Sequence, residues 1–388
     1  MNRHHQKQFL CYTIIGLNSF ATTIYFTYVY FLLHDKFGFR DKANLAVAAL
    51  LGLVYAFSAW QGGKFGQRYG NIFSVKLGFT LMGTAFALGP LLGTAAGQIV
   101  VAMVVSASVC LTWPMLEALV TEGEAPAQVP QAVGLYNVTW AATNALALFV
   151  GGALIEKLGY ASLFWLPLGF MVVQLALMFY LQKIHRPAAQ TDSTPAPEWH
   201  RAPPAGAKNF QQLAWLANPF AYIAINTLVA VLPGLATKFH LTPMFAGFAC
   251  SLWGFMRLAA FVLFWRWDGW HYRFRWLLSA YVLIIGSFAV ILITPNLAAV
   301  LLAQLFFGTA IGLIYYSSLF YAMDASEAKS EHGGIHEATV GIGNCIGPAV
   351  GTAALRFAAE SPNAGAWAVS GLLLVGLGAL VWLRKARD

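Results

Sequence analysis

The stretch GGKFGQRYG, residues 62–70, sets one lysine and one arginine among four glycines between two long apolar runs. Glycines tolerate the backbone conformations of a tight turn, and cations beside apolar runs belong at a membrane surface. The segment therefore reads as a cationic hinge between two membrane-crossing helices. The rest of the chain has the same character. Of 388 residues 59% are apolar and only 10% charged, and the mean hydropathy is +0.64, whereas a soluble domain carries about a quarter charged residues. This composition describes a polytopic membrane protein.

Working outward from the hinge, apolar runs of spanning length fall at about 9–33, 44–62, 72–93, 97–121, 132–155 and 161–182, then at 215–237, 243–265, 276–294, 297–321, 335–357 and 365–383. Each is expected to be helical, because backbone exposed to lipid must satisfy its own hydrogen bonds. The basic amino terminus is followed by an apolar run too long for a signal sequence and is taken as a retained first span. One connection is clearly polar, the proline- and alanine-rich KIHRPAAQTDSTPAPEWHRAPPAGAKN, which suits a solvated linker. The expected organisation is a bundle over 1–182, a cytoplasmic linker over 183–214 and a second bundle over 215–388.

With an even number of spans, 16 of the 23 lysines and arginines lie on the side of the termini and 6 on the other, Arg257 standing within a span. That bias places both termini in the cytoplasm. It also accounts for the net charge of +8 without nucleic acid, since the surplus sits in short loops where it sets topology and meets anionic lipid heads. The four cysteines, Cys11, Cys110, Cys250 and Cys345, all lie in apolar runs without paired spacing, so neither a disulfide framework nor a thiolate metal site is implied.

The segment beginning at Leu111 aligns without gaps over the one beginning at Ile311, with Gly134, Asn144 and Gly151 meeting Gly334, Asn344 and Gly351, and Asn18 is echoed by Asn226. The two halves read as parallel repeats.

On these features the chain resembles the major facilitator superfamily, whose signature between the second and third spans runs Gly-x-x-x-Asp-Arg-x-Gly-Arg/Lys. Here the glycines Gly63, Gly66 and Gly70 and the arginine Arg68 occupy that slot with Lys64, while Gln67 stands for the aspartate and Asn71 for the last basic residue. The resemblance implies an all-α fold of twelve transmembrane helices in two pseudo-symmetric six-helix bundles. It also implies a secondary transporter that moves a small solute by alternating access about a midplane site. Arg68 then belongs to a gate with Glu122 or Glu124 and with Glu337 at the start of the eleventh span. Positions on the first, fourth, seventh and tenth spans make Asn18, Thr22, Trp113, Asn226, Tyr315 and Tyr316 candidates for substrate binding.

Ionisable residues within spans carry further weight, because a charge in hydrocarbon costs a few kcal/mol and tends to face a cavity or a partner. Arg257 is the deepest; it either binds an anionic group of the substrate or pairs with an acid or carbonyls. Glu117, in WPMLEALV, is either a proton-coupling carboxylate or a structural partner for Arg68 or Arg257. A carboxylate out of water favours its protonated form, which suits the first role. Asn144 and Asn344 read as packing and helix-bonding positions.

Two motifs point elsewhere. EHGGIHE, residues 331–337, spaces His332 and His336 as zinc ligands on a helix would be spaced, the basis of an alternative reading as a membrane-embedded metal-dependent enzyme. Gly333 and Gly334 between them weaken that helix, and no metal or other cofactor is expected. GNCIGPAVG, residues 343–351, is similar to the superfamily's antiporter signature, though in the second half, and hints at efflux of amphipathic compounds. The expected protein is therefore no enzyme but a monomeric bacterial inner-membrane carrier. It is expected to be proton-coupled and to move a polar or anionic metabolite, with lipids and a small solute as its partners.

Overall fold

The computed structural model describes residues 3–125, 128–185, 206–325 and 329–386, with side chains other than those of 3 and 322–336. The described residues fold almost entirely as helix, in fourteen α-helices. The first half comprises α1 (Arg3–Phe37), α2 (Asp41–Tyr69), α3 (Asn71–Leu88), α4 (Ala95–Val109), α5 (Trp113–Thr121), α6 (Val129–Leu158) and α7 (Ser162–Ile184). The second comprises α8 (Ala207–Ala230), α9 (Leu232–Lys238), α10 (Pro243–Arg266), α11 (Phe274–Ile293), α12 (Leu297–Ala325), α13 (Lys329–Phe357) and α14 (Ala364–Lys385). Among the described residues, twelve segments are long and apolar enough to cross a membrane.

Two spans are each built from two α-helices. The fourth is α4 and α5 joined through a turn at residues 110–112, and the seventh is α8 continued by the short α9. In each case a proline, Pro114 or Pro233, stands at the start of the second piece. Proline supplies no amide and clashes with the preceding turn, so a helix restarts there instead of continuing. The seventh span also begins at Ala207, ahead of the expected residue 215, because Phe210 and Leu213 are buried in the core and carry the polar turn along with them. Most of the central linker, residues 186–205, lies outside the described residues.

The hinge itself is shorter than expected. Helix α2 runs through the glycines to Tyr69, and the turn into α3 is made by Gly70 alone, at φ 89° and ψ 148°. That conformation is open to glycine and costly for other residues. Gly62 and Gly66 instead let α2 lie against the fourth span. A methyl group on Gly62 would stand 2.7 Å from the carbonyl of Cys110, and one on Gly66 would overlap Met115.

The repeat expected from the alignment is visible in the packing. In the first half α1 packs on α6, α2 on α4, and α3 on α7; in the second, α8 packs on α13, α10 on α12, and α11 on α14. The halves meet along two seams, α2 against α13 and α6 against α10. Both seams are closely packed. A side chain on Gly52 would collide with the backbone of Asn344 and Cys345, and one on Gly152 with the carbonyl of Pro243. At the end opposite the termini, Glu156 accepts the amide of Met244 at 3.0 Å across the α6–α10 seam.

Candidate functional site

Between the two seams lies a cavity walled by both halves, with about 1190 Å³ of space not filled by protein atoms, open solvent at its mouth included. Its α1 wall carries Ser19, Thr22, Thr23, Phe26, Thr27 and Tyr30, the i, i+3, i+4 stripe of one helix face. Among the described residues its wall carries two acidic or basic side chains, Arg257 and Glu337.

The setting of Arg257 follows from two short sequences with the same spacing. In WAATN of α6, Trp140 precedes Asn144 by four residues; in WGFMR of α10, Trp253 precedes Arg257 by four. Residues so spaced share a helix face one turn apart, and the α6–α10 seam brings the two faces together. The guanidinium carbon lies 4.7 Å from the ring centre of Trp140 and 4.8 Å from that of Trp253. Its Nη2 donates to Asn144 Oδ1 at 2.5 Å, and Asn144 Nδ2 donates to Thr23 Oγ1 of α1 at 2.6 Å. Trp140 is oriented in turn by its own N–H, which donates to Asn137 at 3.0 Å, and by Tyr315, whose ring centre is 5.3 Å away. Arg257 is only 4% exposed and its Nε is buried without a hydrogen-bond partner. Among the described residues it forms no ion pair. Stacking between indole faces offsets part of the cost of burying a cation, and the remaining donors suit an anion.

On the other seam Glu337 of α13 accepts a hydrogen bond from the hydroxyl of Tyr55 of α2. Beside it Asn226 of α8 donates to Asn344 of α13. The repeat-related Asn144 and Asn344 each bond to the first helix of their own half, as the sequence suggests, and both also line the cavity.

Of the substrate-binding candidates, Thr22, Trp113, Asn226, Arg257 and Tyr315 stand in the cavity wall. Two stand elsewhere. Asn18 is buried and donates to Thr112, in the break of the fourth span, at 3.2 Å. Tyr316 packs on Phe261 and Trp270 away from the cavity. Glu117 sits on α5 one turn beyond Trp113, half-buried, and among the described residues it has no ion-pair partner.

The gate candidates are divided among several contacts. Arg68 is exposed over the ring of Tyr69, and Lys64 lies 4.0 Å over Trp60. Glu122 is 3.6 Å from both Lys7 and His185, while Glu124 accepts Gln8 at 2.5 Å and lies 3.2 Å from His4. Gly63 lies within α2, and Glu337 faces the cavity. The side chains of His332 and His336 lie outside the described residues, and among the described residues no group of three or more metal-ligating side chains converges. All four cysteines are free.

Sequence reasoning passed over Tyr55, Tyr136, Trp140, Tyr222 and Trp253, all of which line the cavity. The shared spacing of WAATN and WGFMR was a usable signal.

A family model described as Major Facilitator Superfamily matches residues 8–352. The chain belongs to the Major Facilitator Superfamily. None of the curated proteins matches it in sequence. Among solved structures it is similar to the human organic anion transporter MFSD10 (TETRAN), with a TM-score of 0.70 at 14% identity over 98% of this chain and 100% of that one. The nucleoside transporter NupG gives a TM-score of 0.70 at 14% identity over 99% and 100%. A bacterial homolog of the human lysosomal transporter Spinster, inward-facing and unoccupied, gives 0.67 at 14% over 100% and 96%. At such identities the likeness establishes the secondary-transporter fold of this superfamily member and says nothing of its solute.

Proposed function

We propose that this superfamily member is a proton-coupled secondary transporter of a small organic anion or polar metabolite. The solute occupies the central cavity while the two halves rock about it. The observation that carries this reading is Arg257, a buried cation in the cavity wall whose Nε has no hydrogen-bond partner and which, among the described residues, forms no ion pair. A carboxylate or similar group would complete its fork of donors. Glu117 is the proton carrier in this reading. The protein acts as a monomer in a bacterial inner membrane with both termini in the cytoplasm, an orientation supported by the excess of lysine and arginine on that side.

The test is a thermal-shift screen of the purified protein in detergent against anionic, neutral and cationic solutes, since a ligand at a hundred times its dissociation constant stabilises by about 2.7 kcal/mol. Stabilisation by organic acids that disappears in Arg257→Gln is the expected result. The aromatic walls, among them Trp113, Tyr136 and Tyr222, favour a second reading, efflux of amphipathic compounds. Stabilisation by lipophilic cations alone, unchanged in Arg257→Gln, would select that reading over the first.

A further inference from the structure

Arg257 and Glu337 share one cavity without neutralising each other. Each is tied to its own seam by an uncharged group of the opposite half, Arg257 to Asn144 and Glu337 to Tyr55. The structure has no ion pair between them, and Tyr222 of α8 stands in the same cavity wall. Each pole also keeps unused bonding capacity. The Nε of Arg257 is buried without a partner, and among the described residues Glu337 Oε1 accepts no hydrogen bond. Glu117 of α5, from the first half, does not line the cavity. A singly charged solute would match one pole and leave the other uncompensated in a space of low dielectric, which is costly. A solute carrying both charges would satisfy both.

From this arrangement we propose that the cavity is built for a zwitterionic solute, with a carboxylate against Arg257, an ammonium against Glu337, and an aromatic or apolar body between them. The inference rests on the transport reading and narrows its solute class. The body would lie along Trp140, Trp253 and Tyr315, whose rings wall the Arg257 side of the cavity. The hydrogen-bonded pair Asn226–Asn344 would meet polar groups near the other end. The asymmetry also orders the solute: its acid end would face the α6–α10 seam and its amine end the α2–α13 seam. Both seams must shift when the halves rock. A two-ended ligand would replace the bonds to Asn144 and Tyr55 at the two seams together.

The experiment uses two matched sets of probes with a common body and different charge: phenylalanine, 3-phenylpropionate and 2-phenylethylamine, and tryptophan, indole-3-propionate and tryptamine. Binding to the purified full-length chain in detergent is measured by thermal shift and calorimetry. At least one amino acid is expected to bind about tenfold or more tightly than its acid and amine analogues. Arg257→Gln should reduce that amino acid to the level of the amine, and Glu337→Gln to the level of the acid. Should either variant fail to fold, the ranking of the six probes on the unaltered protein decides alone. If the acids bind as tightly as the amino acids, the zwitterion proposal falls and the anion reading stands. If neither acids nor amino acids bind, both fall.

Discussion

Arg257 of α10 donates to Asn144 of α6 at 2.5 Å, and the two residues belong to different halves of the molecule. The bond lies at the seam where Gly152 meets the backbone of Pro243. On the opposite seam the Tyr55–Glu337 bond sits beside the close approach of Gly52 to Asn344. Each seam thus combines tight backbone packing with one polar bond that reaches into the cavity. Relative motion of the halves must break or exchange those bonds, so occupancy of the cavity and the position of the halves are linked.

Asn144→Asp sets a carboxylate against the Arg257 guanidinium. A buried ion pair then replaces a neutral partner, and the anion-binding capacity of Arg257 is consumed. The expected outcome is a loss of apparent affinity for a stabilising organic acid of about tenfold or more, without loss of the folded protein. Thermal-shift titrations of variant and parent, compared at their own midpoints, check it.

Glu117→Gln keeps the shape of the side chain and removes its titration. Accumulation driven by a proton gradient in proteoliposomes should fall to the level of passive equilibration, while solute exchange in the absence of a gradient continues. Undiminished accumulation would remove Glu117 from the coupling step.

Gly52→Val puts branched carbon into the backbone of Asn344 and Cys345. The α2–α13 seam must open, at a cost of about 1–3 kcal/mol. Cys345 is free and half-buried next to that contact, whereas Cys11, Cys110 and Cys250 are buried. Alkylation by a small maleimide should therefore accelerate at Cys345 and not at the other three, as mass spectrometry of the labelled peptides would show.

Gly70→Ala tests the hinge. With φ 89° and ψ 148°, alanine there is strained by about 1–3 kcal/mol, and the thermal midpoint should fall accordingly. An unchanged midpoint would mean that the α2–α3 turn relaxes without penalty.

Much of the architecture was legible because hydrophobicity is read one segment at a time. Spanning length is a property of contiguous stretches, and a bilayer admits helices for such stretches. The breaks in the fourth and seventh spans were less legible. Averaging over a window hides Pro114 and Pro233, although each ends a run of backbone bonds. Membership of the cavity was only partly legible, for a reason of angle. Successive helix residues point about 100° apart, so Tyr315 lines the cavity while Tyr316 turns toward Trp270. Likewise Ser19 and Thr22 face the cavity while Asn18 turns to Thr112. Span position alone does not supply that rotation.

By itself the sequence determined a twelve-span, two-part membrane protein with a buried arginine in its eighth span, because burial of backbone and charge in lipid leaves few other outcomes. Only the tertiary structure decided what Arg257 meets. Asn144 and Trp140 stand more than a hundred positions away in the chain, and they reach the guanidinium because two helices from opposite halves pack closely enough along one seam to bring their faces together. Side-chain contacts between distant segments depend on helix rotation and approach, which are set by the packing of the whole molecule and by no local run of residues.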